Sequence, residues 1–151
     1  MGSVRNTRSP ARDAESAAEQ LAARGLRATR QRIAVLEVLR RSAAHPTATE
    51  IYRQLLEKLP TISLKTVYDS LDILVGAGLA GCIADGGTPY RYDANVAPHY
   101  HAQCRLCGAL MDIPARADGQ IRGQTPLPQG FEIEQIRVTL VGRCSRCRDG
   151  A

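Results

Sequence analysis

The first half of the chain consists of short amphipathic stretches separated by glycine, proline and hydroxyl residues. Apolar residues recur three and four positions apart within them, which predicts helices that each bury one face. Helices are predicted over residues 14–24, from the cap Thr29 to His45, from Thr47 or Thr49 to Pro60, and over residues 64–75 after the cap Ser63. The last three, with tight breaks between them, form a helix-turn-helix arrangement whose final helix would enter a DNA groove.

The periodicity changes to extended segments after Gly78. Residues 79–84 and 89–92 flank a turn formed by Asp85, Gly86 and Gly87, which predicts a hairpin. A hairpin that directly follows a recognition helix is a wing. Residues 1–92 are therefore expected to form a winged-helix DNA-binding domain, in which the polar residues 1–12 are disordered.

A second, smaller domain is predicted beyond a hinge at residues 93–98. Strands are expected over residues 101–103, 109–113 and 131–140, and a helix between residues 116 and 125. The predicted fold class is therefore α+β, with an N-terminal winged-helix domain and a small C-terminal αβ domain over residues 99–151.

The charge is concentrated in the first of these domains. The net charge of the 151 residues is +5, and residues 1–92 carry 13 Lys and Arg against 9 Asp and Glu. Six arginines lie between Arg24 and Arg41, where Glu37 is the one acidic residue. This pattern fits a surface that faces phosphates, and it fits an ordinary solvated helix face equally well.

Two Cys-x-x-Cys pairs lie about forty residues apart in the second domain: Cys104 with Cys107, and Cys144 with Cys147. Two such turns supply the tetrahedral sulfur shell of a structural zinc ion and would join the first strand of the domain to its last. Two disulfides or redox pairs are the alternative. Residues 1–10 are polar, unlike a secretory signal, and the chain has no apolar transmembrane run, so a reducing cytoplasm is expected.

The fifth cysteine, Cys82, falls in a predicted wing strand. It has no partner in either pair. We predict a small buried apolar residue, with a redox role or additional metal ligation as the alternatives.

A second group of metal donors precedes the first cysteine pair. His99 and His101 share one face of an extended strand, and the carboxylates of Asp93 and Asp112 could join them. Such a nitrogen and oxygen shell suits iron(II) or manganese(II) better than a thiolate shell does. Two other interpretations are open: exposed loop histidines, or the two-histidine, one-carboxylate triad of a non-haem iron enzyme.

Several segments together resemble the ferric uptake regulator family. They follow the family's order over nearly the whole chain: Gly25-Leu-Arg-Ala-Thr-Arg-Gln-Arg, His45-Pro-Thr-Ala, Thr66-Val-Tyr-Asp-Ser-Leu, Ala77-Gly-Leu, Arg91-Tyr-Asp, His99-Tyr-His-Ala-Gln-Cys-Arg-Leu-Cys-Gly, Gly130-Phe and Gly142-Arg-Cys-Ser-Arg-Cys. The resemblance implies a homodimer whose second domain is the dimerisation domain, a structural zinc ion, and double-stranded operator DNA with an A/T-rich palindrome as the partner.

The resemblance also implies a regulatory site for iron(II) or manganese(II). Peroxide-sensing members use three histidines and two aspartates, which correspond here to His45, Asp93, His99, His101 and Asp112. Zinc-sensing members usually have a cysteine at the position of Asp93. Iron uptake regulators generally have a further site, whose positions hold Tyr100 and a histidine-free segment over residues 131–138 here. The resemblance therefore favours a peroxide sensor over an iron, manganese or zinc uptake regulator.

The implied function is a metal-dependent transcriptional repressor released when peroxide oxidises His45 or His99, and not an enzyme. Lys65, Thr66 and Tyr68 begin the predicted recognition helix, where side chains reach base edges, although Tyr68 could instead be a core aromatic residue. Arg27 matches a basic position of the family that enters a minor groove. Asp69 departs from the family pattern and is expected to accept from cytosine or to pair with Arg53. A zinc-ribbon interaction module without DNA binding is a further alternative.

Overall fold

In the computed structural model of the chain, the described residues are 15–84, 89–115, 126–134 and 136–149. They divide into two compact units, one up to Ala97 and one from Pro98. We call them the N-terminal unit and the C-terminal unit. Within the described ranges, no helix has both the length and the apolar character needed to cross a membrane. The predicted disorder of residues 1–12 lies outside the described residues.

The N-terminal unit contains helices α1 (Ala17–Ala23), α2 (Arg30–Arg41), α3 (Ala48–Leu56) and α4 (Leu64–Gly76). Each helix begins after a hydroxyl residue whose side chain accepts a hydrogen bond from the backbone N–H three positions on: Ser16, Thr29, Thr47 and Ser63. The predicted caps of the last three helices are thus confirmed, with Thr47 rather than Thr49 at α3.

Three helix ends differ from the prediction. Helix α2 ends at Arg41 and not at His45, because the backbone of Ser42 is already extended. The Ser16 cap makes α1 begin at Ala17 and not at residue 14, because Ser16 itself has an extended backbone. Helix α3 ends at Leu56 and not at Pro60. Leu59 is nevertheless buried, because a turn after the helix returns its side chain to the core and its N–H donates to the Leu55 carbonyl oxygen at 2.8 Å.

The apolar stripes of the four helices meet in one hydrophobic core. Its fully buried side chains are Leu21, Val35, Leu36, Leu39, Ile51, Val67, Leu71 and Leu74. Burial of a side chain of this size contributes about 1.5–3 kcal/mol, so this cluster is the main source of stability in the N-terminal unit.

A two-stranded antiparallel hairpin follows α4. Strand β1 (Gly81–Ile83) pairs with β2 (Arg91–Asp93) in a register that sets Cys82 opposite Tyr92. The predicted wing is confirmed, and its turn at residues 85–88 lies outside the described residues. Strand β2 also contacts the segment before α3, because the Tyr92 N–H donates to the Pro46 carbonyl oxygen at 3.0 Å.

The C-terminal unit contains a three-stranded sheet with the order β4-β3-β5. Its elements are β3 (His99–Cys104), β4 (Leu110–Pro114), β5 (Thr139–Gly142) and the short helix α5 (Ser145–Asp149). Strand β4 runs antiparallel to β3, whereas β5 runs parallel to it. Because β3 pairs with both β4 and β5, it fixes the positions of the side chains on these two strands.

The prediction of one long strand over residues 131–140 is wrong. In the described part of this segment, strand structure begins at Thr139 and continues to Gly142. Alternating polar and apolar residues favour an extended chain, but a strand also needs a partner, and β5 pairs only with residues 101–104 of β3. The predicted helix between residues 116 and 125 lies outside the described residues, and the hinge at residues 93–98 stays a prediction.

Candidate metal centres and nucleic-acid interface

The four cysteines of the two Cys-x-x-Cys pairs come together at one end of the C-terminal sheet. Their sulfur atoms lie within 4.8 Å of one another. Cys104 ends β3 and pairs with Gly142, the last residue of β5, and Cys144 follows two residues later. Because parallel strands end at the same edge of a sheet, the pairing of β3 with β5 brings both pairs to one point.

Backbone hydrogen bonds stabilise negative charge on the Cys104 sulfur of this group. The Cys104 sulfur accepts from the Cys144 N–H at 3.3 Å, and N–H donors of Cys144, Cys107 and Leu106 lower the pKa of Cys104 to about 6. Hydrogen bonds with the thiols of Cys107 and Cys144 raise the pKa of Cys147 to about 12. Cys104 thus readily carries a negative charge, whereas Cys147 keeps its proton until a cation offsets the charge of its neighbours; a zinc ion bound by all four sulfur atoms would supply that positive charge.

The turn between the first two cysteines depends on Gly108. Its N–H donates to the Cys104 carbonyl oxygen at 2.8 Å, and its φ of 69° lies in the left-handed region that side chains rarely adopt. This turn directs the Cys107 sulfur towards Cys144, at 3.7 Å. That distance is far longer than a disulfide bond, and none of the five cysteines is disulfide-bonded in the structure.

Cys82 does not belong to the sulfur group. It is half-buried in β1 and packs against the hydrophobic core of the N-terminal unit. The packing against the core agrees with the predicted apolar role, but the side chain is half-buried and not fully buried as predicted.

A second donor group lies on the face of strands β3 and β4. The Nε2 atoms of His99 and His101 are 2.9 Å apart, and the Asp112 carboxylate lies 3.7 Å and 3.9 Å from them. His101 and Asp112 are cross-strand partners, and His99 lies two residues away on the same face. Two donors bound to one ion at about 2.1 Å lie about 3 Å apart, so this spacing suits a common ion.

A third donor group lies in the N-terminal unit. His45 and Asp93 are both buried, with the His45 Nε2 atom 3.5 Å from Asp93 Oδ2. The other carboxylate oxygen, Oδ1, accepts from the Asn95 N–H at 2.8 Å, which fixes the orientation of the carboxylate. One carboxylate oxygen and one imidazole therefore face each other and can contribute two ligands to a metal ion.

The backbone of His45 has a φ of 50°, an unusual value for a residue with a side chain. The Arg91 guanidinium donates to the His45 carbonyl oxygen at 3.0 Å, and Arg91 forms a β-bridge with Thr47. Arg91 was recognised in the sequence only as part of a family segment, and its contact with His45 was not predicted. The available signal was its position in the strand, two residues before Asp93.

Helix α4 presents the predicted DNA-contacting residues. Ser63 accepts from the Thr66 N–H at 3.1 Å, so the helix begins immediately before Lys65. Tyr68 is 42% exposed, which is inconsistent with a core aromatic residue. The expected pairing of Asp69 with Arg53 is wrong: Asp69 pairs with Lys65, because residues four positions apart on one helix are neighbours.

The arginine-rich segment before and along α2 is used partly within the protein. Arg24 donates to the Ala77 carbonyl oxygen, Arg32 to the Arg27 carbonyl oxygen, and Arg40 to that of Glu15 at 2.7 Å. These guanidinium groups hold neighbouring segments together, so part of their hydrogen-bonding capacity is used within the protein although they stay at least partly exposed. The Arg27 side chain is exposed, as a DNA contact requires.

A winged helix followed by a small sheet with thiolate and imidazole donors defines a metal-binding transcription regulator. Comparison with known proteins identifies the family to which this regulator belongs. The pattern described as the ferric uptake regulator family matches residues 23–141. The chain belongs to the ferric uptake regulator family.

Two of the similar proteins are peroxide regulators. The peroxide operon regulator of Bacillus subtilis is 35% identical over 137 residues, which cover 91% of this chain and 94% of the relative. The peroxide-responsive repressor of Staphylococcus aureus is 34% identical over 125 residues, 83% of this chain and 84% of the relative. The predicted family is confirmed, and the predicted function, a metal-dependent repressor, agrees with these relatives.

Solved structures show the same architecture. The Campylobacter jejuni peroxide stress regulator has a TM-score of 0.62 and 29% identity, covering 78% of this chain and 88% of that one. The Vibrio cholerae ferric uptake regulator has a TM-score of 0.67 and 25% identity, covering 82% and 96%. The predicted α+β fold class is thus confirmed.

Proposed function

We propose that the protein is a dimeric, metal-dependent repressor that binds A/T-rich palindromic operator DNA and leaves it when peroxide oxidises a metal-bound histidine. The single observation that carries this proposal is the group of His99, His101 and Asp112, whose histidine Nε2 atoms are 2.9 Å apart. Membership of a regulator family and the exposed start of α4 support DNA as the partner. Four free thiols suit a reducing cytoplasm.

Zinc fits the cysteine group. Cys104, Cys107, Cys144 and Cys147 would hold it, because four sulfur donors complete the tetrahedral shell of a structural ion and leave no position for a substrate. The role of this ion is to hold β3, β5 and α5 together.

Iron(II) or manganese(II) fits the nitrogen and oxygen donors. The pair His45 and Asp93 and the group His99, His101 and Asp112 are each too few to fill the shell of such an ion. We propose that one ion takes its ligands from both groups. The ion would then join the N-terminal unit to the C-terminal unit and select the arrangement of the dimer that fits two successive major grooves.

Iron(II) held by these ligands would relay electrons to hydrogen peroxide, whereas manganese(II) would not. One peroxide oxygen would be inserted into a ring C–H bond of a ligand imidazole as the O–O bond breaks, and the other oxygen would leave as water. The oxidised imidazole is a poorer donor and leaves the shell. His45 and His99 are the proposed targets. Loss of either ligand weakens the link between the two units and releases the DNA.

The proposal predicts a metal-specific response to peroxide. Protein loaded with zinc and manganese should shift an A/T-rich palindromic duplex in a gel. Protein treated with a chelator so that it retains only zinc should not shift the duplex. After peroxide, iron-loaded protein should lose the shift, and peptides that contain His45 or His99 should gain about 16 Da, the mass of one oxygen atom. Mass spectrometry of the digested protein measures the gain.

Manganese-loaded protein is the control, because it should keep both the shift and the unmodified peptides after the same treatment. Iron-loaded protein that retains DNA and unmodified histidines would contradict peroxide sensing. It would leave an iron or manganese uptake regulator as the better interpretation. A metal-independent shift would instead contradict the regulatory ion.

Arg91 is expected to position His45, so Arg91→Gln should weaken manganese binding about tenfold, as the loss of a residue that orients a ligand usually does. It should also lower the metal-free free energy of unfolding by about 1 kcal/mol, the contribution of one hydrogen bond. Titration with manganese and chemical unfolding of the metal-free protein measure the two effects. Arg91→Lys should restore part of the affinity.

Arg53→Gln is the matched control for Arg91, since it removes an exposed arginine from α3. Equal manganese affinities for wild type and Arg91→Gln would show that the His45 conformation does not depend on this contact.

A non-haem iron enzyme is the second candidate, because two histidines and one carboxylate on β3 and β4 are also the ligand set of iron oxygenases. The regulator is favoured by the winged helix and by the family match over residues 23–141.

A further inference from the structure

Lys65 and Asp69 form a compact pair on the exposed face of α4. The Lys65 Nζ atom lies 2.9 Å and 2.7 Å from the two carboxylate oxygens of Asp69. The two side chains are 82% and 56% exposed, and Tyr68 is exposed beside them. A positive donor and a negative acceptor are thus presented together on the surface assigned to DNA.

Helix stability does not account for this pair. An exposed pair of this kind contributes about 0.3–0.5 kcal/mol at best. Its order is also unfavourable, because the lysine lies in the first turn and the aspartate further along, which opposes the helix dipole. No acidic residue lies in the first turn of α4, where it would be most stabilising.

A carboxylate near DNA is repelled by the phosphates, and a hydrogen bond that it accepts from a base can offset this repulsion. In the major groove, aspartate accepts from the N4 amino group of cytosine, and lysine donates to O6 or N7 of guanine. The O6 acceptor and the N4 donor are adjacent on the edge of one G·C pair. The Lys65 and Asp69 pair presents the complementary donor and acceptor side by side.

We propose that Lys65 and Asp69 act as one unit that reads a G·C pair in each operator half-site, with Lys65 on guanine and Asp69 on cytosine. The proposal rests on the DNA binding proposed above and specifies its sequence preference. Within an A/T-rich operator, one such pair at a fixed position distinguishes the site from other A/T-rich DNA. Four residues, a rise of about 6 Å along α4, separate Lys65 from Asp69, and both side chains can span this distance to reach the same base pair.

Selection from a pool of duplexes with a randomised core tests this reading. Full-length protein loaded with zinc and manganese should enrich duplexes with a G·C pair at one position of each half-site. Replacement of that pair by A·T should weaken binding about tenfold, within the range of a good base contact. Asp69→Asn should lose this preference and favour A·T at the same position, because asparagine pairs with adenine.

Asp72→Asn is the matched control, because it removes the same charge from the exposed face of the same helix. It should strengthen binding to all duplexes alike and keep the G·C preference. Retained G·C preference in Asp69→Asn, or an equal gain on every sequence, would overturn the base-reading role. If the wild type enriches no sequence at all, the proposed DNA-binding function fails as well. This outcome differs from a wild type that selects an operator without a fixed G·C pair, which contradicts only the base-reading role.

Discussion

Replacement of Cys104 by serine is expected to remove zinc and to unfold the C-terminal unit. Among the described residues of this unit, the buried apolar side chains are Tyr100, Cys104 and Leu110. The described part of this core is small, whereas structural zinc in small domains contributes about 10–16 kcal/mol to folding. The ion is therefore expected to stabilise the C-terminal unit by more than these three side chains do.

Elemental analysis of the purified variant checks this prediction. We expect zinc to fall from about one ion per chain to less than about 0.1. The N-terminal unit should keep its helical circular dichroism, because the core of α1 to α4 contains none of the zinc ligands. The C-terminal unit should become sensitive to protease.

Cys82→Ser is the matched control for this variant. The same substitution at a cysteine packed against the N-terminal core should leave the zinc content unchanged. A Cys104→Ser protein with full zinc content and unchanged protease resistance would show that the sulfur group is not the structural centre. Loss of zinc from Cys82→Ser would show that the assignment of the four zinc ligands is wrong.

Features set by neighbouring residues could be predicted from the sequence. The caps Thr29 and Ser63 were identified because a hydroxyl residue before an apolar stripe satisfies N–H groups within its own turn. The wing was found from Gly86 and Gly87 between two extended segments. These signals are local and need no knowledge of the tertiary structure.

Features set by distant partners could not be predicted in the same way. The start of β5 at Thr139 depends on which residues of β3 are available for pairing, and alternation along residues 131–140 does not specify this. The contact of Arg91 with the His45 carbonyl oxygen joins residues 46 positions apart. Asp69 had two possible partners, and the nearer one on the same helix was overlooked.

The candidate metal sites could be predicted from the sequence in part. Cysteine spacing alone indicated a sulfur site, because each pair carries its own turn and the type of ligand limits the metal. The spacing of His99 and His101 predicted a shared face, with Asp112 as a further donor, and the register of β3 with β4 brings Asp112 beside them. The assignment of His45 came only from resemblance, since a lone histidine before a proline carries no metal signal.

Asp93→Asn and Asp112→Asn are each expected to weaken manganese binding about 100-fold, because each removes a charged ligand from the proposed shell. The DNA affinity of either variant with manganese should fall to that of the metal-free protein, since the ion can no longer shift the population towards the DNA-binding arrangement. Calorimetric titration with manganese and a gel shift measure the two effects. Zinc content should not change.

The two aspartates lie in different units of the chain, which makes the comparison informative. If one ion binds both donor groups, either substitution weakens the same single binding event, so both variants lose manganese affinity and manganese-dependent DNA binding to a similar extent. If the groups act separately, Asp93→Asn retains full affinity at His99, His101 and Asp112, and the proposed link between units is wrong. Glu132→Gln, which neutralises an exposed carboxylate of the C-terminal unit, controls for the change in charge.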